Sequence, residues 1–241
     1  MKRQSYLVLL FAFLSVIFFL LLIFLRIPFP LYPLMSWQDV LDILTPLVLL
    51  PVYRVLFKRA SNEPTSSHEE TWFILFAALW ASGQGMHLGA NSVTNLAEHL
   101  ATTGGLNILD SSIYELTYFF DEHLSHYLWQ IGILGLAAVL VCREWAHPAG
   151  EKTVWWAAIT GGMLYGLTTF GFTLEGQTLP IGVPFVIMLV LVIFILGRKD
   201  LGERPLRAFF LMTALVAVAL LVAWILLWGF PIPQISEVGW I

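Results

Sequence analysis

Cysteine is nearly absent. Among 241 residues only Cys142 carries a thiol, so the chain can form no internal disulfide and has no cysteine-rich metal site. Charge is scarce as well: Asp, Glu, Lys and Arg make up 12% of the chain, where a soluble domain carries about 25%. Hydrophobic residues make up 59% and mean hydropathy is +0.82. That balance excludes an ordinary soluble globule and points to an all-α integral membrane protein, for which lipid is the solvent. A net charge of −4 without a basic stripe excludes nucleic acid as a partner. Lysine and arginine are also missing from one whole set of loops, apart from Arg26.

What the sequence does contain is a succession of apolar runs. The first, Tyr6 to Leu25, has no charged residue and is followed by Arg26-Ile-Pro-Phe-Pro rather than by a small-residue cleavage site, so it reads as a retained span. The pattern predicts a bundle of seven transmembrane helices in a single domain over 1–241, with spans at about 6–25, 38–57, 71–97, 112–141, 154–173, 179–197 and 206–230. Pro28, Pro30 and Pro33 predict a short interfacial turn, and Ser36-Trp-Gln-Asp39 has the form of a helix cap. Pro46 and Pro51 predict a kinked second helix. Gly85 and Gly89 in the third span, and Gly161, Gly162 and Gly166 in the fifth, offer surfaces on which a neighbouring helix can pack closely.

The basic residues orient this bundle. Lys2, Arg3, Arg54, Lys58, Arg59, Arg143, Lys152, Arg198, Lys199, Arg204 and Arg207 fall on one side and Arg26 alone on the other. Positive charge stays in the cytoplasm, which predicts a cytoplasmic N-terminus, an outer C-terminus and a multi-pass protein of the cell membrane.

Ionisable groups inside a span are expensive and mark function. The fourth span opens with Glu115, Asp121, Glu122, His123 and His126 and continues to Gln130. In the third, His87, Asn91 and Asn95 recur at helical spacing and lead to Glu98 and His99 near the loop, while Glu175 lies just past the fifth. The predicted topology puts all of them in the outer half, beside Asp42 of the second span and with almost no cation to neutralise the carboxylates. His87, His123, His126 and Glu122 are therefore candidate ligands for a divalent metal, with zinc favoured and iron possible by donor type. Glu122, Asp121 and Glu175 are candidate catalytic carboxylates, and Asn91, Asn95, Gln130 and Glu115 candidate supporting hydrogen-bond partners.

This constellation leads to an expected membrane enzyme in which a metal-bound water hydrolyses a lipid or another amphipathic substrate entering between helices. Two alternatives use the same residues. One is an oxidoreductase with a di-iron or b-type haem centre, although Glu-x-x-His on two helices, usual in di-iron bundles, is absent. The other is a cation or proton transporter, for which the cytoplasmic halves of the spans supply no continuing relay.

Overall fold

The structure is a computed structural model that describes residues 3–21, 24–25, 27–104 and 108–240; Lys2 and Arg26, used above to orient the bundle, lie outside them. The chain is all-α and 80% helical. Among the described residues its seven helices are α1 (Arg3–Leu21), α2 (Trp37–Arg59), α3 (Ser67–Thr102), α4 (Ser112–Ala146), α5 (Trp155–Glu175), α6 (Leu179–Ile195) and α7 (Pro205–Trp228). Four of them, α1, α2, α4 and α7, are long and apolar enough to cross a membrane. The proline-rich turn after α1 is more ordered than the sequence suggested, since Pro28–Phe29 (β1) and Tyr32–Ser36 (β2) pair as an antiparallel hairpin.

Helix starts follow local chemistry. Ser36 and Asp39 form a reciprocal capping box at α2, each side chain accepting from the other residue's backbone N–H. Ser66 and Glu69 repeat the device at α3. In α2, Pro46 and Pro51 are accommodated within one helix, and Thr45 Oγ1 donates to the carbonyls of Phe18 (3.2 Å) and Leu41 (3.4 Å). In α4 the backbone widens to a π-type turn over Phe119–Ser125, in the stretch that carries the charges.

Packing is decided by a few close approaches. A Cβ at Gly83 of α3 would stand 2.5 Å from the backbone nitrogen of Trp129 in α4, and one at Gly132 would stand 2.5 Å from that of Trp80. These two glycines let α3 and α4 cross almost in backbone contact. Gly162 and Gly166 of α5 seat α7 in the same way, against Met212 and Val216. Gly85 and Gly89 do not serve as contacts, because both face open space. The centre is aromatic: Tyr53 and Tyr165 share a hydrogen bond between their hydroxyls (2.8 Å), with Phe11 4.5 Å and 4.9 Å from the two rings.

The two ends of the bundle differ in charge. At the basic end, Arg143 is 2% exposed and donates to Glu69 (2.6 Å) and to the carbonyls of Phe57 and Glu63. Glu144 accepts the backbone N–H groups of Leu206 and Arg207 and so caps α7 with a carboxylate. Arg54 and Lys58 hold Glu70 and push its carboxyl down to about 2. Burial opposes ionisation of Glu69, yet hydrogen bonds from Ser66 and Arg143 bring its pKa below the usual carboxylate value. The candidate site occupies the opposite end.

Candidate functional site

The site grows from one side of α3. Gln84, His87, Asn91 and Thr94 follow one another at steps of three, four and three, which a helix of about 3.6 residues per turn aligns on a single face. Each meets a carboxylate. Gln84 Nε2 donates to Asp42 Oδ1 (2.7 Å), Asn91 Nδ2 to Asp39 Oδ1 (3.3 Å), and Thr94 Oγ1 to Asp121 Oδ2 (2.7 Å). His87 Nδ1 stands 2.8 Å from Asp121 Oδ1. Asp121 is 1% exposed, so both of its oxygens are committed within the protein and it does not face open space.

A carboxylate at that distance favours a proton on Nδ1 and restrains the ring plane; the contact is an ion-pair approach and not an aligned hydrogen bond. The His126 ring lies 4.8 Å away, centre to centre, tilted by 44°. His126 is itself 7% exposed, and its buried Nδ1 has no hydrogen-bond partner among the described residues. A buried polar atom without a partner calls for an explanation, since such atoms are normally satisfied.

Both histidines line a cavity of about 340 Å³. Its described walls carry Asp39, Asp42, Glu122 and Glu175 and no Lys or Arg. Phe18, Phe19, Trp129 and Phe172 supply an aromatic side, with Phe19 5.7 Å from Trp129 and 5.5 Å from Phe172. The C-terminal segment closes the remaining side through Gln234, Ile235 and Ser236. It is tied down by Glu175, whose Oε2 accepts the N–H groups of Ile235 (2.9 Å) and Ser236 (3.2 Å) and whose carbonyl accepts from Gln234 Nε2 (2.5 Å).

The sequence-derived candidates therefore separate. His87, His126, Glu122, Asn91 and Glu175 line the cavity, and Asp121 supports it from behind. Glu122 alone among the carboxylates there makes no side-chain hydrogen bond within the described residues; Glu175 is engaged by the C-terminal segment. His123 is not part of the lining and packs beside the Tyr118 and Phe119 rings, at 6.1 Å and 5.9 Å. Glu115 is exposed one turn further out. Asn95 is exposed and donates to Asn91 Oδ1 (3.0 Å), while Gln130 is fully buried and donates to Thr173 (3.1 Å), away from the cavity. Glu98 is exposed and accepts from the Tyr114 hydroxyl, and His99 is exposed beside it. Among the described residues, no group of three or more His, Cys, Asp or Glu side chains is gathered closely enough to hold a metal ion.

Gln84, Thr94 and the aromatic wall are additions to the sequence reading. Gln84 and Thr94 were accessible to it, because they extend the helical spacing of His87 and Asn91 by one step at either end. The contribution of Gln234 to Ser236 was not, since it depends on the chain returning across the bundle after α7. Comparison with known protein families, curated proteins and solved structures finds no match. Function has to be argued from the site itself.

Proposed function

We propose that the chain is a seven-span protein of the cell membrane, N-terminus cytoplasmic, and that its outer cavity is the centre of a metal-dependent hydrolase acting on a lipid or another amphipathic substrate. The observation that carries the reading is the Asp121–His87 pair (2.8 Å) beside His126 in a cavity walled by carboxylates. A carboxylate that fixes one nitrogen of an imidazole while the other looks into a cavity is the usual support for a histidine metal ligand. In this reading His87, through Nε2, and His126 are the imidazole ligands, and Glu122, free of hydrogen bonds, swings in as the carboxylate ligand or as the base for a bound water. Asp42 faces the same space as a further donor, with one oxygen held by Gln84.

The seven-span topology is supported by charge and by packing. Arg54, Lys58, Arg143, Arg204 and Arg207 gather at one end and the acidic cavity at the other. The helices α3 and α5 are not among the four candidate spans, but Gly83, Gln84 and Thr94 of α3 and Gly162 and Gly166 of α5 are turned to α2, α4 and α7. A di-iron centre is disfavoured because Glu-x-x-His does not occur on two helices: its one occurrence, Glu144-Trp-Ala-His147, lies at the basic end, away from the cavity. A porphyrin between His87 and His126 fits poorly at a ring separation of 4.8 Å.

Metal analysis of the protein purified in neutral detergent, together with its absorption spectrum, tests the reading. Stoichiometric zinc that is lost in His87→Ala and His126→Ala is the expected result. A Soret band selects haem, and iron without one selects the di-iron alternative. Absence of any metal in a folded wild-type protein that also folds unchanged after both substitutions overturns the metal site.

A further inference from the structure

We propose that residues 234–240 are a flap over the outer cavity, fastened by Glu175 and lifted to admit what the cavity binds, so that Glu175 acts as a latch and not as a reacting carboxylate. What the flap admits rests on the reading of the cavity as a hydrolase centre; that it opens rests on its own contacts.

The chain leaves α7 at Gly229 with φ 75 and ψ −153, a backbone conformation essentially confined to glycine. A Cβ there would meet nothing within 4 Å, so conformation and not packing requires the glycine. The segment then makes an excursion whose two ends meet at one side chain. The Trp224 indole donates to the carbonyl of Pro233 (2.9 Å), and the Trp240 ring lies 5.1 Å from the Trp224 ring. Between these two points Gln234, Ile235 and Ser236 reach the cavity and line it. Ends held together with the tip far from them is the build of an Ω-loop, a form that frequently carries function.

The loop is bonded within itself. The Gln234 N–H donates to Glu237 Oε2 (2.8 Å), the Gly239 N–H to the carbonyl of Ser236 (3.1 Å) and the Trp240 N–H to that of Ile235 (3.3 Å). Among the described residues, the hydrogen bonds that residues 234–240 make to the helices all end on Glu175: Ile235 and Ser236 N–H on its Oε2, and the Gln234 amide on its backbone carbonyl. No residue from 229 to 240 is buried, so the loop adds nothing to the apolar core. Few buried contacts and exposed backbone hydrogen bonds mark a segment that opens locally, and its internal bonds let it lift as one piece. Two N–H groups fill both acceptor sites of Glu175 Oε2, so that oxygen is not available to a ligand while the loop is down. A lid built this way lets substrate in and then shuts water out.

Hydrogen exchange and thiol access, both on the full chain in lipid nanodiscs, test the flap. Amides of residues 235–240 should exchange at least tenfold faster than those of α5 and α7 in the wild type, and at least tenfold faster still in Glu175→Ala. In a Cys142→Ala background, a small positively charged methanethiosulfonate should modify Asn91→Cys, inside the cavity, at least tenfold faster once Glu175→Ala is added, with exposed Glu115→Cys, outside it, unchanged. Ser236→Pro removes one N–H donor and leaves Glu175 in the wall; it should speed modification of Asn91→Cys too, which widening of the cavity at Glu175 cannot explain. Wild-type flap amides as protected as those of α5, or modification of Asn91→Cys at one rate with the latch intact and removed, overturns the proposal; the wild-type exchange decides it even if a variant fails to fold. Metal content of the same samples separates the two readings. Bound zinc with a flap that ignores the latch keeps the hydrolase centre and sinks the gate, while a latch-dependent flap on metal-free protein does the reverse.

Discussion

Asp121 and His123 are two residues apart in sequence and have opposite fates. A regular helix would put His123 and His126 on one face, three residues apart, and on that basis both read as ligands. The π-type turn over Phe119–Ser125 breaks the 3.6-residue register, so His126 reaches the cavity while His123 lies among Tyr118 and Phe119. The same turn buries Asp121, with Ser125 Oγ donating to its backbone carbonyl and Thr94 and His87 taking up its carboxylate. The polar stripe of α3 was legible because its register is regular; the α4 assignments were only half legible because no local signal reports a widened turn. If Asp121 orients His87, Asp121→Asn keeps the size and the hydrogen bond to Thr94 but lowers metal affinity by about 10–100-fold. His123→Ala leaves it unchanged. Metal titration of the two variants, with thermal unfolding as the control for folding, makes the comparison; a loss of affinity in His123→Ala as large as that in Asp121→Asn would dissolve the distinction.

At the level of the helix pair, glycine spacing announced close packing without saying where. Gly85 and Gly89 have the four-residue spacing associated with helix contacts, yet a Cβ at either meets nothing within 4 Å. Gly83 and Gly132, unremarked in the sequence because neither has a glycine or alanine partner four residues along the same face, are where α3 and α4 touch. The choice is made by the partner: Trp129 and Trp80 each present backbone at the crossing, and Trp80 is fully buried there. Gly83→Ala and Gly132→Ala should each destabilise by about 1–3 kcal/mol or more, because backbone cannot yield as a side chain does. Gly85→Ala and Gly89→Ala should be neutral or stabilise by up to about 1 kcal/mol through helix propensity. Thermal unfolding of all four in one detergent checks both signs at once. Since Trp129 also lines the cavity, the Gly83 variant should perturb ligand binding as well, whereas the Gly85 variant should not.

Over the whole molecule the separation of charge was the most legible feature, and it is also what links fold to function. Buried Arg143 and the capping carboxylate Glu144 lock α2, α3, α4 and α7 at the basic end. With cation and anion matched there, the unpaired carboxylates are left to the other end, where His87 and His126 lie. Helix number was less legible than polarity, because α3 and α5 trade apolar surface for polar and glycine contacts and α6 is short, so hydropathy alone singles out four helices. The proposed placement of the cavity on the outer face rests on the proposed orientation, which two single-cysteine variants can decide. In a Cys142→Ala background, exposed His68 at the start of α3 and exposed Asp110 in the loop before α4 sit at opposite ends of the bundle. With positive charge held in the cytoplasm, a membrane-impermeant maleimide should label Asp110→Cys in intact cells and His68→Cys only after permeabilisation. The reverse pattern would turn the cavity toward the cytoplasm and move its substrate to the inner leaflet. Labelling of both from one side would overturn the proposed crossing by α3 and with it the seven-span topology.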